Sequence, residues 1–538
     1  MEEYKTLSGI PLEPFYVPED LPNFDPQKHL GEPGNPPYTR GLYNEMYRKK
    51  LWYMRQFAGF NSLEETNERY RFLYKGGQRA FTPANHHASQ MYGIDPFDPR
   101  VIYEMGVSGF PLDVMDDYKA VFKGIPLQDI NVTIDGSLFT VPILTCMFWA
   151  ACEEEGIDPK KLHGNSTACP VLTHLLCPPL DNLPPRDSMK LISDLGEYAC
   201  INAPNWHGLF INGYVIREGG VNAYQELALV FAPVIEEFNE ILNRGTVELD
   251  QLMSTINFNL GSHIDFFEEI AKCRAARRMW YKITRDRFKA KDPSCGKFRF
   301  HVITQGVTYT RKEPFNNVVR GTMEALASVL GGVNSLHVTS LDEGIGLPTP
   351  GTAMLSVRTQ QILAYETGVA KVADPLAGSY YVEWLTNEIE KRAWEYLDEI
   401  EKRGGYLKAL ESGWIGSEFK KAQAEDQKKL DSGEKKLVGV NLFPLDEEPL
   451  KVPELYEFRQ KPGPDIIEYE KKKREGIRRG RSEEEVQAAL EEIRQVAKTN
   501  QNVIPAVMKA VKARAMLDEI AAIWRDQWGI WTSIWERM

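Results

Sequence analysis

Short apolar runs that end in polar, glycine-containing turns alternate along this chain with segments of helical period. The apolar run at 333–339 leads into the polar turn Ser340–Gly346, and the segment before it repeats apolar residues every three or four positions until Gly331 and Gly332. A second helical pattern follows near 355–366. A helix, a buried strand, a polar loop and another helix form the repeating unit of an α/β barrel or a doubly wound sheet.

The turn after this strand has two interpretations. Asp342 and Glu343 either cap the next helix, whose N-terminus favours carboxylates, or belong to a functional site at the end of the strand. Spacing alone favours neither interpretation.

The same order of strand and polar loop recurs in at least five segments: 50–60, 164–176, 206–220, 297–310 and 333–349. This recurrence favours a barrel over an open sheet. We therefore predict an α/β fold, a (β/α)8 TIM barrel with an extended N-terminal arm and a helical C-terminal extension. The sequence contains neither a GxGxxG nor a GxxxxGK[ST] element, which argues against the common nucleotide-binding motifs.

Composition divides the chain into three predicted parts. Residues 1–50 are rich in proline, glycine and aromatics and predict an arm that lies on a body made by later residues. Residues 51–410 carry the barrel pattern, and 411–538 read as a charged linker and helical C-terminal extension.

Two features of the C-terminal part have alternative interpretations. The basic run at 470–481 is typical of a solvated helix face or of a docking patch for an acidic partner. Four tryptophans spaced by four, three and four residues predict one helical stripe, which either packs on the barrel or forms a subunit contact: Trp524, Trp528, Trp531 and Trp535.

Charge and cysteine content exclude several classes of function. The 538 residues carry a formal net charge of −12, which argues against nucleic acid and anionic membranes as partners. No apolar run reaches the roughly 20 residues of a spanning helix, and the N-terminus lacks the pattern of a signal peptide, so we expect a cytoplasmic protein. Seven cysteines without a CxxC pair predict buried thiols rather than disulfides or zinc.

The adjacent histidines His86 and His87 raise the question of metal binding. Neighbouring side chains of an extended segment point in opposite directions, and no HxH or HxxxH partner is near. A hydrogen-bonding role in a binding pocket is the preferred interpretation.

Several motifs in order resemble the barrel-bearing part of adenosylcobalamin-dependent acyl-CoA mutases, the methylmalonyl-CoA mutase family. They are scattered over residues 9–414 and include LWYMRQFAGF, NNVVRGTMEALA, SLHVTSLDEGIGLPT, DPLAGSYYVEWLT and GGYLKALESGW. The resemblance implies a barrel traversed by acyl-CoA, with adenosylcobalamin (coenzyme B12) at its C-terminal face. The implied activity is that of an isomerase, a mutase that performs a radical carbon-skeleton rearrangement by shifting the CoA-thioester group.

The family's cobalamin-binding module carries a D-x-H-x-x-G motif whose histidine ligates cobalt. None of the nine histidines here has an aspartate two residues before it, so we expect that module to be absent from this chain and no metal site within it. The resemblance then implies a separate small cobalamin-binding subunit, in a heterotetramer of two large and two small subunits.

Residue by residue, the resemblance implies three groups of site residues. The acyl-CoA group is Tyr43, Met46, Lys50, Tyr53, Arg55, Thr82, Thr167 and Asn257. The cofactor group is Gly59, Asn85, Ser108, Glu218, Gly306, Glu343 and Gly346. Tyr214, Phe57, His86 and His87 are the candidates for the catalytic group.

Departures from the family pattern concern the acyl group. Phe57 replaces a tyrosine, Val215 replaces the histidine that usually bonds the thioester carbonyl, and the carboxylate-binding arginine is not evident around 166–179. These changes argue against methylmalonyl-CoA and favour an atypical branched, hydroxylated or aryl-substituted acyl-CoA. The alternatives are the large subunit of an isobutyryl-CoA mutase, suggested by Phe57, and a non-catalytic, mutase-like binding or assembly partner.

Overall fold

The computed structural model describes residues 4–107, 109–178, 180–446 and 464–532. Its strands are β1 Tyr53–Ala58, β2 Ala80–Pro83, β3 Asn131–Gly136, β4 His163–Ala168, β5 Trp206–His207, β6 Leu209–Asn212, β7 Ile256–Ser262, β8 Phe300–Thr304 and β9 Ser335–His337. Ser108 and Trp535 lie outside the described residues.

The α-helices precede, separate and follow these strands along the chain. They are α1 Pro26–His29, α2 Leu63–Lys75, α3 Met115–Val121, α4 Val141–Glu154, α5 Pro185–Asn202, α6 Gly213–Glu218, α7 Ala223–Arg244, α8 Leu249–Ser254, α9 Phe266–Lys282, α10 Asn316–Leu330, α11 Pro350–Tyr365, α12 Tyr380–Lys402, α13 Tyr406–Glu411, α14 Trp414–Asp431, α15 Pro464–Gly480, α16 Glu483–Ala497, α17 Ile504–Lys512 and α18 Leu517–Trp528. None of these helices combines the length and the apolar character that crossing a bilayer requires.

The strands form one sheet in the order β5-β4-β3-β2-β1-β9-β8-β7-β6. Neighbouring strands of the sheet run parallel. Asp135 of β3 lies beside Thr167 of β4, and His301 of β8 lies beside Ser335 of β9. The first and last strands of this order, β5 and β6, are consecutive in the chain and separated by Gly208 alone. Counted as one interrupted strand, they give the connectivity of a (β/α)8 barrel, and the predicted fold class is confirmed.

Residue contacts divide the chain into two compact units. Unit 1 comprises 1–55, 212–236 and 257–458, and unit 2 comprises 56–211, 237–256 and 459–538. The division of the chain into 1–50, 51–410 and 411–538 remains a prediction.

In unit 1, α9 is buried along most of its length and packs against α10 and α12. The N-terminal arm also lies on α9, since the backbone N–H groups of Leu7 and Ser8 donate to Asp265 and Glu268 at 2.9 and 3.0 Å. The start of the predicted arm therefore contacts later residues, and the arm over 1–50 stays a prediction.

In unit 2, α4 is the buried central helix and packs against α3 and α17. Twelve of its residues, 141–152, are buried, which explains why this apolar segment lacks a polar face. Ser482 caps the start of α16, because its side chain accepts from Glu485 N–H at 3.3 Å.

The prediction that the tryptophans form one stripe on a single helix is wrong. Helix α18 ends at Trp528, because Gly529 adopts a left-handed φ of 79° that turns the chain away. Trp524 is buried and stacks on Trp528 at 5.3 Å, whereas Trp531 lies beyond the helix and contacts His174 edge-on at 5.6 Å. Packing within unit 2 thus accounts for these three tryptophans.

The basic run at 470–481 is only partly a solvated face. Lys473 reaches the carboxylates of Asp113 and Asp117 at 2.7 and 3.1 Å, and the buried Arg474 pairs with Asp113 and Asp518. Lys473 and Arg474 therefore hold α15 against other elements of unit 2.

The buried cysteine thiols that the sequence predicts are confirmed for six of the seven residues, and Cys177 is partly buried.

Removing a buried cation from unit 1 tests how its carboxylates are held. Arg274 on α9 is buried between Asp374 and Glu383, at 2.5 Å from each. Arg274→Ala should lower the free energy of unfolding by about 3–5 kcal/mol, because two buried carboxylates lose their counter-charge. Urea unfolding measures the change.

The matched control is Arg285→Ala, which breaks the pair with Asp286, in which both side chains are more than half exposed. Its cost should stay below about 1 kcal/mol. Similar losses in the two variants would contradict the assignment of Arg274 as a buried structural cation.

Candidate active site

Four residues predicted from the sequence meet in unit 1 around the turn after β8. A methyl group placed on Gly306 would lie 3.4 Å from Glu343 Cγ, 3.6 Å from Tyr214 Oη and 3.7 Å from Glu218 Oε2. Gly306 therefore forms the floor of a small recess lined by two carboxyls and a phenol. We call this group of four residues the Gly306 recess.

Hydrogen bonds fix the walls of the Gly306 recess. Helix α6, which carries Tyr214 and Glu218, is capped by the Asn212 side chain, which accepts from Val215 N–H at 3.4 Å. Gln305 Nε2 donates to the Tyr214 carbonyl at 3.3 Å. Val307 N–H donates to Glu218 at 3.2 Å, so the residues on either side of Gly306 both bind α6.

The two acidic residues of the turn after β9, Asp342 and Glu343, have different surroundings. Asp342 is buried and accepts from Thr349 N–H at 3.2 Å and from Thr352 Oγ1 at 2.6 Å, and it thereby supports the start of α11. Glu343 makes no such contact with the helix start and lies at the Gly306 recess instead. The helix-start interpretation is therefore confirmed for Asp342, and the site interpretation stays a prediction for Glu343.

Electrostatics in the recess favour the neutral acids. Burial among protein atoms raises the pKa of Glu218 to about 7, with a further contribution from the charge of Glu343. The pKa of Glu343 is also raised to about 7, by burial and by neighbouring Asp342, although Glu343 keeps an exposed side. Burial likewise raises the pKa of Tyr214. Carboxyls of this kind accept hydrogen bonds from hydroxyl groups of a bound molecule.

Arg55 lies in the interior-facing layer of β1, β8 and β9 in unit 1. The guanidinium is buried, its Nε donates to Ser335 Oγ at 3.3 Å, and burial lowers its pKa to about 9. The buried His301 and the partly buried His337 are its neighbours, and desolvation together with the charge of Arg55 lowers the pKa of both. Aliphatic residues usually fill this layer, so a polar interior is a feature of this barrel.

Four of the remaining acyl-CoA candidates of unit 1 lie at the start of β1 or shortly before it in sequence, and the fifth, Asn257, lies on β7. Lys50 Nζ donates to Tyr53 Oη at 2.8 Å, and Tyr53 is paired with Ser335 of β9. The exposed Tyr43 ring lies 5.8 Å from Lys297 Nζ. Met46 is buried beside Tyr47 in a small cavity, and Asn257 accepts from Phe258 N–H at 3.0 Å, without a contact to the other candidates.

In unit 2, the two adjacent histidines have separate partners. His86 is buried, its Nδ1 lies 3.1 Å from Ser89 Oγ, and burial lowers its pKa to about 4. His87 Nδ1 lies 2.8 Å from Glu104. In the described part of the chain, no cluster of three or more His, Cys, Asp or Glu side chains is arranged to hold a metal ion.

The other predicted residues of unit 2 lie on β1, β2 and β4 or just beyond them. Phe57 is 42% exposed, whereas Thr82 and Thr167 are buried. Gly59 and Asn85 lie in tightly packed backbone, since a Cβ on Gly59 would meet the Ala84 carbonyl at 2.1 Å. These roles in binding stay predictions.

Sequence reasoning missed Asp135, the acidic residue near the end of β3. Its Oδ2 accepts from Gln90 Nε2 at 2.9 Å, and it lies beside Thr167 in the register of β3 and β4. Burial raises its pKa to about 7. The signal was the sequence Ile134-Asp135-Gly136, an acid and a glycine after an apolar strand, the same order as in the Glu343 turn.

Comparison with known proteins then connects this geometry to a family. The family profile described as methylmalonyl-CoA mutase matches residues 5–530. The chain belongs to the methylmalonyl-CoA mutase family. Enzymes of this family are B12-dependent acyl-CoA mutases, so the predicted isomerase class is confirmed.

Three relatives illustrate the range of the family. The 2-hydroxyisobutanoyl-CoA mutase large subunit of Aquincola tertiaricarbonis is 36% identical over 98% of this chain and 92% of its own length. The methylmalonyl-CoA mutases of Cereibacter sphaeroides and Escherichia coli are 37% and 35% identical, each over 96% of this chain and 71% of their own lengths.

Removing one carboxyl of the recess should change how stability depends on pH. The pKa of Glu218 is about 7 in the folded chain and near the ordinary 4.5 when unfolded. The folded state therefore holds the extra proton between these values, and stability falls as pH rises through this interval. In Glu218→Gln this fall should be smaller, measured by urea midpoints at pH 5, 6 and 7.

Tyr214→Phe is the control, because it removes a polar group from the same recess without removing a carboxyl. Its pH dependence should match that of the unmodified chain. If Glu218→Gln retained the full fall in stability, the raised pKa of Glu218 would be refuted.

Proposed function

We propose that this chain is the large subunit of a coenzyme B12-dependent acyl-CoA mutase that rearranges a hydroxylated acyl-CoA. The Gly306 recess supports binding of the cofactor, and the Asp135 carboxyl supports a hydroxyl group on the substrate. Each feature is argued separately because they lie in different units of the chain.

The residues of the Gly306 recess fit the adenosyl group of coenzyme B12. Glu218 and Glu343 offer carboxyl oxygens to ribose hydroxyls, and Gly306 leaves the space that a side chain would fill. When bound, the cofactor supplies the radical chemistry of the family. The chain's own residues would orient the ribose and exclude water around it.

A hydroxyl on the acyl group is supported by two observations. Asp135, whose carboxyl is held by Gln90, lies beside Thr167, a residue of the predicted acyl-CoA group. Gln90 is fixed in turn, since its carbonyl accepts from Ser137 N–H at 3.1 Å. The second observation is that a relative aligned with this chain over 92% of its own length is named 2-hydroxyisobutanoyl-CoA mutase large subunit.

A carboxyl in this position suits a hydroxylated substrate better than an alkyl one. It can accept a hydrogen bond from a substrate hydroxyl in addition to the one from Gln90, whereas an acyl group without that hydroxyl buries the carboxyl without this further partner. This argument disfavours the alternative of an isobutyryl-CoA mutase, which Phe57 alone supports.

The proposed partner is a small subunit that carries the cobalt-ligating histidine. The name of the Aquincola relative, a large subunit, implies a small subunit for that protein. This chain contains no D-x-H-x-x-G motif of its own. We infer a heterotetramer of two large and two small subunits, with a short reading frame that encodes the motif next to the gene of this chain.

Asp135→Ala tests the substrate assignment in the enzyme reconstituted with that small subunit and adenosylcobalamin. The value of kcat/KM for a 2-hydroxyacyl-CoA should fall about 10–100-fold, because a hydrogen bond to a charged or polar acceptor is lost. The same acyl-CoA without its hydroxyl should be much less affected. Isomer formation by liquid chromatography is the readout for both substrates.

Thr167→Val is the comparison variant: it removes a hydroxyl beside Asp135, and because Thr167 belongs to the predicted acyl-CoA group, it should lower kcat/KM for both substrates by the same factor. Equal losses for both substrates in Asp135→Ala would contradict hydroxyl recognition. No isomer from any ester with the unmodified chain would instead favour the non-catalytic interpretation, so the two failures are distinguishable.

A further inference from the structure

One arginine on helix α18 of unit 2 contacts the loops that follow three consecutive strands. Arg525 donates from Nη1 to the Gly93 carbonyl at 2.7 Å and from Nη2 to the Tyr92 carbonyl, both in the loop after β2. Its Nε donates to the Asp181 carbonyl at 2.8 Å, in the loop after β4. The guanidinium also lies 5.4 Å from the centre of the Phe139 ring, in the loop after β3. We call Arg525 and these four partners the Arg525 contact group.

The chemistry of the guanidinium explains how one side chain holds several loops. Its donors lie in one plane at fixed angles, so the carbonyls that they bind are fixed relative to one another. Burial lowers the pKa of Arg525 to about 10, and the group therefore remains charged at neutral pH. Hydrogen bonds from a charged donor are stronger than those from a neutral one. The position of α18 is thereby linked to the positions of all three loops.

Close packing of α18 on the loop after β2 supports the same link. Gly93 has a left-handed φ of 58°, and a Cβ at this residue would lie 2.8 Å from Ala521 Cβ on α18. The same Cβ would lie 3.3 Å from the Phe139 ring. Glycine thus allows the helix to lie directly against the backbone of the loop.

The residues after α18 bind the loop after β4 as well. Trp531 N–H donates to the Asn182 carbonyl at 2.8 Å, one residue beyond the carbonyl that the guanidinium binds. The Asn182 side chain donates to the Thr173 carbonyl at 2.8 Å, and Thr173 Oγ1 accepts from Leu138 N–H at 3.2 Å. The loops after β3 and β4 are therefore joined to each other and to the C-terminal part of the chain.

The loop after β2 carries the residue that holds the Asp135 carboxyl. Gln90 lies in the helical turn Ala88–Tyr92, shortly before the two carbonyls that Arg525 binds. Its Nε2 donates to Asp135 Oδ2 at 2.9 Å, and its carbonyl accepts from Ser137 N–H at 3.1 Å. Because a hydrogen bond weakens steeply with misalignment, a displaced turn would no longer hold the Asp135 carboxyl in its present direction.

We propose that Arg525 is a positioning residue of the acyl site, which fixes the loop after β2 so that Gln90 directs the Asp135 carboxyl at a substrate hydroxyl. The inference rests on the proposed function, since it requires Asp135 to bind that hydroxyl. A purely structural arginine would affect activity towards every ester equally. A positioning arginine affects the hydroxylated ester more, because only that ester uses the Asp135 carboxyl.

Arg525→Lys tests this difference in the enzyme reconstituted with the small subunit and adenosylcobalamin. Lysine keeps the positive charge and loses the planar donors. The ratio of kcat/KM for a 2-hydroxyacyl-CoA to that for the same ester without its hydroxyl should fall at least about fivefold, because the hydrogen bond to Asp135 is misaligned. Isomer formation by liquid chromatography gives both values, and their ratio does not depend on the fraction of folded enzyme.

Arg514→Lys is the matched control in the same part of the chain. Arg514 also forms several ionic hydrogen bonds, but its partners lie on α3 and α4: Nε donates to Asp116 at 2.7 Å and Nη2 to Glu154 at 2.9 Å. Because these partners lie outside the three loops, the ratio should stay within about twofold of that of the unmodified enzyme.

A double variant tests whether Arg525 acts through Asp135. In Asp135→Ala the carboxyl is absent, so adding Arg525→Lys should leave the selectivity ratio of Asp135→Ala unchanged. A further fall in the ratio would show that Arg525 affects the hydroxyl by another route and would overturn the proposal.

Amide hydrogen exchange of the full chain, without cofactor or substrate, tests the loop contacts separately from catalysis. In Arg525→Ala, the peptides that contain Gln90, Phe139 and Asp181 should exchange at least about tenfold faster, because the loops open more readily. In Arg514→Ala the same three peptides should exchange as in the unmodified chain. If Arg525→Ala does not fold, Arg525→Lys takes its place in this measurement, and faster exchange in the same peptides is again expected.

Two further outcomes would overturn the proposal. One is unchanged exchange in all three peptides, and the other is an unchanged selectivity ratio in Arg525→Lys although Asp135→Ala lowers that ratio. A ratio that Asp135→Ala also leaves unchanged would contradict hydroxyl recognition itself, and the positioning role with it. The Asp135→Ala result therefore distinguishes failure of this inference from failure of the proposed function.

Discussion

Parallel hydrogen bonding between neighbouring strands is the constraint on which the rest of this structure depends. Because β7, β8 and β9 run in the same direction, the residues that follow each of them emerge at one edge of the sheet. Gly306 follows β8 and Glu343 follows β9, so these residues meet although 36 positions of sequence separate them. The chemistry of the recess is therefore a consequence of strand direction.

Several buried cations on α9 have carboxylate or carbonyl partners in unit 1. Lys272 lies between Glu226 and Gly261 in unit 1, with 2.7 Å to each partner, and Arg274 lies between two carboxylates. A buried ion without such partners would destabilise the fold by several kcal/mol. These networks hold α9, and α9 anchors the N-terminal arm.

Much of the fold was predictable because local patterns agree with it. The apolar period before Gly331 and Gly332 predicts α10, which ends at Leu330, and the strand–loop recurrence predicts the parallel barrel. The prediction of one tryptophan stripe failed for a local reason. The sequence keeps its helical period past Gly529, but the helix itself ends there because Gly529 has a positive φ. The interpretation of the basic run failed for a different reason. The carboxylates that bind Lys473 and Arg474 are about 360 positions away in sequence.

The candidate site was predictable in part for similar reasons. Glu218, Gly306 and Glu343 each follow or precede a recognisable strand end, and the family motifs mark the same positions. The roles of Asp342 and Glu343 were not separable, because neighbouring residues of a turn point to different surroundings. Asp135 was missed although it carries the same local signal, since its significance depends on Gln90 from another loop.

The most direct measurement is isomer formation by the purified chain with its small subunit, adenosylcobalamin and a 2-hydroxyacyl-CoA labelled with ¹³C at the thioester carbonyl. We expect ¹³C NMR to show the labelled thioester carbonyl bonded to the adjacent carbon. Omission of the small subunit should abolish this product. An unchanged label position with every hydroxylated ester, together with turnover of an ester that lacks the hydroxyl, would contradict the proposed function.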